Sequence, residues 1–219
     1  DDNGLVLPPR IAPSHVVIIP IYRSDEEHSQ VMEFAERIKQ TLKGLKLDDV
    51  MIWTELDDRD LTNSERNWYW VKKGIPLRIE IGPRDIAQNS CMVARRDKEP
   101  RDKTSVAIDA LSAYVVQTLS EMQNNYYQKA LDFRTENTIN IDDNKEFYRF
   151  FTPRNSEQPE IHGGFANSHW CGDSACEEKI KDDLKVSIRC IPFDAVEEPG
   201  KCICCGKYSQ KRVIFAKAY

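Results

Sequence analysis

The chain has 219 residues, long enough for one large domain or two small ones with a real core. Hydrophobic residues at 40% and charged residues at 31% describe a soluble globular protein, and no apolar run approaches the ~20 residues that span a bilayer, so no membrane partner is expected. A net charge of −5 argues against a DNA-coating protein. The opening Asp1-Asp2-Asn3-Gly4 lacks the basic and apolar regions of a signal peptide. Clustered cysteines without a secretory signal point to a reducing cytoplasm and a metal, not to disulfides.

Residues 1–15 hold three prolines in a short apolar segment, which reads as a lead-in that packs against something rather than a helix or central strand. Val16 to Ile21 is a β-branched run expected of a strand buried on both faces. Ser24 and Glu27 form a capping box, Val31, Phe34, Ala35, Ile38 and Leu42 follow at helical spacing, and Gly44 ends the helix. Val50 to Trp53 reads as a strand and Asn63 to Lys73 as a short helix. Ile75 to Gly82 is a strand with Leu77, Ile79 and Ile81 inward, and Ser90 to Arg95 is another. A long helical pattern begins at Ser105 and continues to about Phe133, reaching toward a second domain. That order predicts a mixed or mostly parallel sheet with helices on its faces.

The second domain is expected from Arg134 onward, with helices over Asn144–Phe151 and Cys176–Asp183. Strands are expected over Val186–Phe193 and Arg212–Tyr219. Four histidines and scattered carboxylates show no acid–base pair at a defined spacing, so no catalytic residue is assigned.

Charge is uneven. Between residues 66 and 103 ten basic side chains face five acidic ones, leaving this window at +5 inside an acidic chain. Such a patch suits a polyanion such as RNA, although a solvated charged surface has the same composition.

The last quarter carries two short-spaced cysteine pairs, Cys171-Gly172-Asp173-Ser174-Ala175-Cys176 and Cys202-Ile203-Cys204-Cys205-Gly206. Two tight turns can supply four thiolates to a tetrahedral Zn²⁺, and the metal then closes the loop between them. Gly206 permits backbone close to the sulfurs.

Several blocks together resemble the archaeal/eukaryotic-like prolyl-tRNA synthetases. They are Gly4–Pro9, Ala12-Pro13, Lys73–Asp85, Ile188–Phe193 and Phe215–Tyr219, in the family's order along the whole chain. The resemblance implies three parts. Residues 1–15 lead in from a class II catalytic domain, residues 16–133 form an α/β anticodon-binding domain, and residues 134–219 form a small α+β zinc-binding domain. It implies that ATP, Mg²⁺ and proline are handled by the catalytic domain, and that the full-length enzyme is a homodimer joining proline to tRNA(Pro). The fragment itself would be non-catalytic. The alternative is a free-standing tRNA- or protein-binding module with structural zinc and no part in aminoacylation.

By the same resemblance Arg78 and Arg84 match positions that read the two guanines of the proline anticodon. Lys73 shares their motif and would meet phosphate, and Arg95 and Arg96 lie where a following strand returns to that edge. Where the family commonly has an acidic residue this chain has Val71, so a guanine acceptor is lost or has moved, to Glu65 or Glu80. Trp68 and Trp70 are open as stacking platforms or as core. The zinc ligands implied are Cys171, Cys176, Cys202 and Cys205, with Cys204 a rival for the last place. Tyr219 is implied to fold its terminal carboxylate toward the catalytic domain.

Overall fold

The computed structural model describes residues 1–155, 157 and 163–217, and the chain divides into two compact units, 1–128 and 129–219. Among the described residues, no helix is long and apolar enough to cross a membrane.

In the first unit the lead-in makes a single 3-10 turn at Pro9–Ile11. Strand β1 (Val16–Pro20) follows and is buried at every position, as its β-branched run requires. Helix α1 (Asp25–Leu42) is capped by Ser24, whose hydroxyl accepts from the Glu27 amide at 3.3 Å. The Glu27 carboxylate closes the return bond on the Arg23 amide at 2.7 Å, one residue before the cap. A small hairpin, β2 (Lys46–Leu47) with β3 (Val50–Met51), precedes β4 (Thr54–Leu56). The strand expected over Val50–Trp53 is therefore split: its first half pairs locally, and the segment just after it joins the main sheet.

Helix α2 (Asn63–Lys73) starts at a full capping box of Thr62 and Glu65 and stops at Gly74, whose φ of 74° closes the helix in the left-handed region. Strand β5 (Leu77–Ile81), the short helix α3 (Pro83–Ala87) and strand β6 (Ser90–Arg95) come next. Lys103–Ala107 then forms strand β7 antiparallel to β6, and helix α4 runs over Ile108–Glu136. The helix expected from Ser105 thus begins later. Thr104, Ser105 and Val106 are drawn into the sheet by pairing with Val93, Met92 and Cys91, long-range bonds that a helical period does not reveal.

The sheet order is β4-β1-β5-β6-β7, with β1 parallel to both neighbours and the last two pairings antiparallel. One face presents Val16, Ile18, Leu77, Ile79 and Ile81 to the apolar stripes of α1 and α4. The other presents Val17 and Ile19, which pack with Ile75 and Trp70 at the end of α2. Parallel register sets Arg78 beside Val17 and Glu80 beside Ile19, so both charged side chains lie on this second face.

The second unit contains β8 (Thr138–Asn140), α5 (Asn144–Phe151), β9 (Phe165–His169), α6 (Ser174–Leu184) and β10 (Val186–Cys190). The hairpin β11 (Gly200–Lys201) with β12 (Tyr208–Ser209) and the strand β13 (Arg212–Lys217) complete it. A four-stranded sheet, β10-β13-β9-β8, covers a core in which Phe147 meets Phe151 and Phe215 edge-on at 5.0 and 5.1 Å. Strands β8 and β9, which their polar composition hides, are supplied by pairing with the strongly apolar β13 and with each other.

Candidate nucleic-acid cleft and metal centre

On the second face of the first sheet, α2 and the loop between β6 and β7 enclose a cleft of roughly 890 Å³. Helix α2 contributes Asn67, Trp68 and Val71, and Arg78 comes from β5. The loop and the start of β7 contribute Glu99, Arg101 and Lys103. Trp68 is 45% exposed at this edge, whereas Trp70 packs on Val17, Ile19 and Ile75 and donates its indole N–H to Asp57 at 2.7 Å. The helix thus divides the two tryptophans between the cleft and the core.

Arg78 lines the cleft yet is only 1% exposed. Its Nε donates to Asn67 at 3.1 Å and one Nη to the Pro100 carbonyl at 3.3 Å, and burial lowers its pKa. The guanidinium therefore ties α2 to the loop while facing the cleft. Lys103 pairs with Glu80 at 2.7 Å.

Arg95 and Arg96 do follow on the expected strand, but the protein itself occupies both. Arg95 forks onto Asp97 at 2.9 and 2.8 Å and reaches Glu121 at 3.1 Å, and these hydrogen bonds raise its pKa. Arg96 is buried, where it binds the Asp1 carboxylate at 2.8 and 2.6 Å and the carbonyls of Gly4, Leu5 and Val71. It fixes the lead-in against α2. Arg66 is likewise buried, on the carbonyls of Asp57 and Pro20. Much of the charge in the basic window is structural. Lys72, Lys73, Arg84, Lys98 and Arg101 remain exposed, with the Lys73 ammonium 5.7 Å from the Tyr69 ring centre. Arg84 stands apart from the cleft, with Tyr22, Arg23 and Glu27 around a smaller hollow.

Of the two acceptors named in place of Val71, Glu65 is engaged through its own helix cap, and Glu80 is held through one oxygen only, its Oε1 being buried with no hydrogen-bond partner among the described residues. Glu65 accepts from the Thr62 amide and hydroxyl at 2.9 and 2.7 Å, and Glu80 is buried against Lys103.

In the second unit Cys171, Cys176, Cys202 and Cys205 bring their sulfurs within 4.8 Å of one another. The Cys171 sulfur lies 3.7 Å from those of Cys176 and Cys205, close to the edge of about 3.8 Å of a tetrahedron of thiolates at 2.3 Å. Four converging soft donors fit a structural metal ion. The first pair stands where β9 turns into α6, capped by Asp173, whose carboxylate accepts from the Ala175 amide at 3.1 Å. The second pair stands in the β11–β12 turn, closed by bonds from Cys202 to the Lys207 carbonyl and from Gly206 to the Cys202 carbonyl. Burial works against a thiolate at Cys202, but the backbone N–H groups of Cys205 and Cys204 prevail and bring its pKa down to about 7. Burial and neighbouring sulfurs push Cys176 up. Cys204 instead leans on the apolar core of this unit, outside the four-sulfur group. Tyr219 lies outside the described residues.

Together these features define a class: a mixed-sheet α/β domain of the anticodon-binding fold, followed by a small α+β domain organised by four cysteines. Residues 15–118 match the family described as "Anticodon binding domain", and residues 158–219 the family described as "Prolyl-tRNA synthetase, C-terminal". The whole chain is 42% identical over 220 residues to the "Proline--tRNA ligase" of Protochlamydia amoebophila, covering 43% of that protein. It is 43% identical over 223 residues to "Proline--tRNA ligase 2" of Anaeromyxobacter dehalogenans and 39% identical over 219 residues to the "Proline--tRNA ligase" of Bdellovibrio bacteriovorus. It spans 44% and 43% of those two proteins, in each case less than half of the relative's length. The chain belongs to the prolyl-tRNA synthetase family.

Proposed function

We propose that this chain is the anticodon-reading, zinc-bearing portion of a proline–tRNA ligase that works in the cytoplasm. The whole enzyme would use ATP and Mg²⁺ to join proline to tRNA(Pro), as a homodimer assembled through the catalytic portion. One observation carries the reading: the cleft that sets Trp68 beside Arg78, Arg101 and Lys103 lies inside the segment matched to the anticodon-binding family. Unstacked bases need an aromatic face, and guanine O6 and N7 need cationic donors.

In this reading Trp68 stacks a base and Arg78, Arg101 and Lys103 supply donors to base edges. Lys73 and Arg84 attract phosphate, and Arg95 and Arg96 act by holding the loop and the lead-in that shape the cleft. Zinc would be held by Cys171, Cys176, Cys202 and Cys205 and would supply folding free energy to the second unit, with no part in the reaction.

Filter binding of the purified chain to tRNA(Pro) and to an unrelated tRNA at moderate salt tests the reading. A preference for tRNA(Pro) is expected. Equal binding of both would defeat it.

A further inference from the structure

We propose that Glu99 is the specificity-determining acceptor of the cleft, the group that accepts from N1–H and N2–H₂ of a guanine. This rests on the RNA-binding reading above.

The chemistry of the base sets the requirement. On its Watson–Crick edge guanine presents two donors side by side, N1–H and N2–H₂. Adenine and cytosine each present one donor beside an acceptor, and uracil presents one donor between two acceptors. Only guanine matches the two oxygens of a carboxylate, so a site selective for guanine gains most from a carboxylate at the cleft wall.

Glu99 meets that requirement. It is the only carboxylate among the described residues lining the cleft. Its side chain is exposed and makes no hydrogen bond or ion pair among the described residues. The Asn67 side chain is already committed, its oxygen to Arg78 and its amide to Asn63.

The backbone under Glu99 is held from two sides. Glu99-Pro100-Arg101-Asp102 closes a turn with the Asp102 amide on the Glu99 carbonyl at 2.9 Å, and proline at its second position presets φ. The buried Arg78 then grips the next carbonyl, that of Pro100. A group fixed in this way loses little further freedom on binding, which raises what a base contact contributes. Val71 on the α2 wall of the same cleft offers no acceptor, and the side chains of Asn3, Asn63, Ser64 and Asn67 each bring a single oxygen, whereas Glu99 brings two side by side.

The test uses the 219-residue chain and synthetic anticodon stem-loops. One carries the two adjacent guanines of the proline anticodon. In others each guanine is replaced by inosine, which lacks only the N2 amino group, or by adenine. The wild-type chain is expected to bind the guanine loop about tenfold more tightly than the inosine loop at one of the two positions. Glu99→Gln and Glu99→Ala are expected to reduce that preference to about twofold or less. Their melting temperatures should be unchanged, because the side chain is exposed and makes no hydrogen bond or ion pair among the described residues. Asp102→Asn removes the same charge from the same turn at a residue outside the cleft. It should strengthen binding of every loop alike and leave the preference intact.

Retention of the wild-type guanine preference in both Glu99 variants overturns the assignment while leaving the RNA reading standing. Loss of the preference in Asp102→Asn to the same degree also overturns it, because the effect is then one of net charge. A wild-type chain that binds the guanine loop no better than an unrelated loop removes the RNA reading, and the role of Glu99 with it.

Discussion

The imidazole of His169 fills the space in which a Cβ on Gly200 would stand, its nearest ring atoms 2.2 Å from that position. His169 ends β9, immediately before the first cysteine turn, and Gly200 opens the hairpin that bears the second. The ring cannot swing away, because it is buried and its Nδ1 lies 3.3 Å from the Ser209 hydroxyl, which reaches the Trp170 carbonyl at 2.8 Å. The glycine lets the two cysteine-bearing segments approach through a histidine. Gly200→Ala is expected to destabilise the second unit by about 1–3 kcal/mol, the usual cost of overpacking. Urea melts of the metal-loaded protein check this, and an unchanged midpoint would show that the hairpin can shift freely.

The sulfur geometry separates the two candidates for the fourth thiolate. Cys205→Ser should lower zinc content below one per chain and abolish the tetrahedral cobalt–thiolate absorption. Cys204→Ser should keep both and cost about 1 kcal/mol from an altered core contact. Metal analysis of freshly reduced protein, with cobalt substitution, decides between them. The reverse pattern would move the ligand to Cys204.

Trp68 and Trp70 should behave oppositely. Trp68→Ala is expected to leave stability within about 0.5 kcal/mol and to weaken anticodon-loop binding by about 1–3 kcal/mol, the contribution of one stacked base. Trp70→Ala removes packing on Val17, Ile19 and Ile75 and should lower stability by about 3 kcal/mol. Parallel melts and anisotropy titrations would expose the assignment as wrong if both variants lost stability equally.

Asp57 introduces a defined acid sensitivity. Burial opposes its charge, but Arg59, forked onto it at 2.7 Å through both nitrogens, and the Trp70 indole outweigh burial and hold its pKa below 3.8. A carboxylate depressed on folding adds stability that is complete above its unfolded value and is lost as pH falls through the folded one. Asp57→Asn should therefore destabilise the protein at pH 7, and the difference should shrink as pH falls below the unfolded value of about 3.9 and through the lower folded one, where the wild-type carboxylate takes up a proton. A destabilisation that does not change with pH would mean that the pair contributes through shape alone.

Local physics made much of the fold readable in advance. The β-branched run of β1, the Ser24 cap, the apolar spacing of α1 and the extent of α2 depend on neighbours within a turn or two, and each stands where its residues imply. The two cysteine turns are equally legible, because each pair is set by spacing within a single turn. Segments with weak local preference are not. Lys103–Ala107 is a strand only because β6 offers it an edge, and β8 and β9 depend on partners far along the chain.

The candidate RNA site divides along the same line. By itself the sequence determined that this region is basic and aromatic and that the cysteines come in two pairs. Only the tertiary structure decided which cations are free to meet a ligand. Arg66 and Arg96 are buried on backbone carbonyls and the Asp1 carboxylate, Arg95 is held by Asp97 and Glu121, Arg78 is buried yet lines the cleft, and the Glu99 side chain on the cleft wall has no hydrogen-bond or ion-pair partner among the described residues. Charge belongs to a residue, but its availability depends on burial and on partners as distant as Asp1 from Arg96, 95 residues apart. Such pairings exist only once the sheet has closed, and no local pattern encodes them.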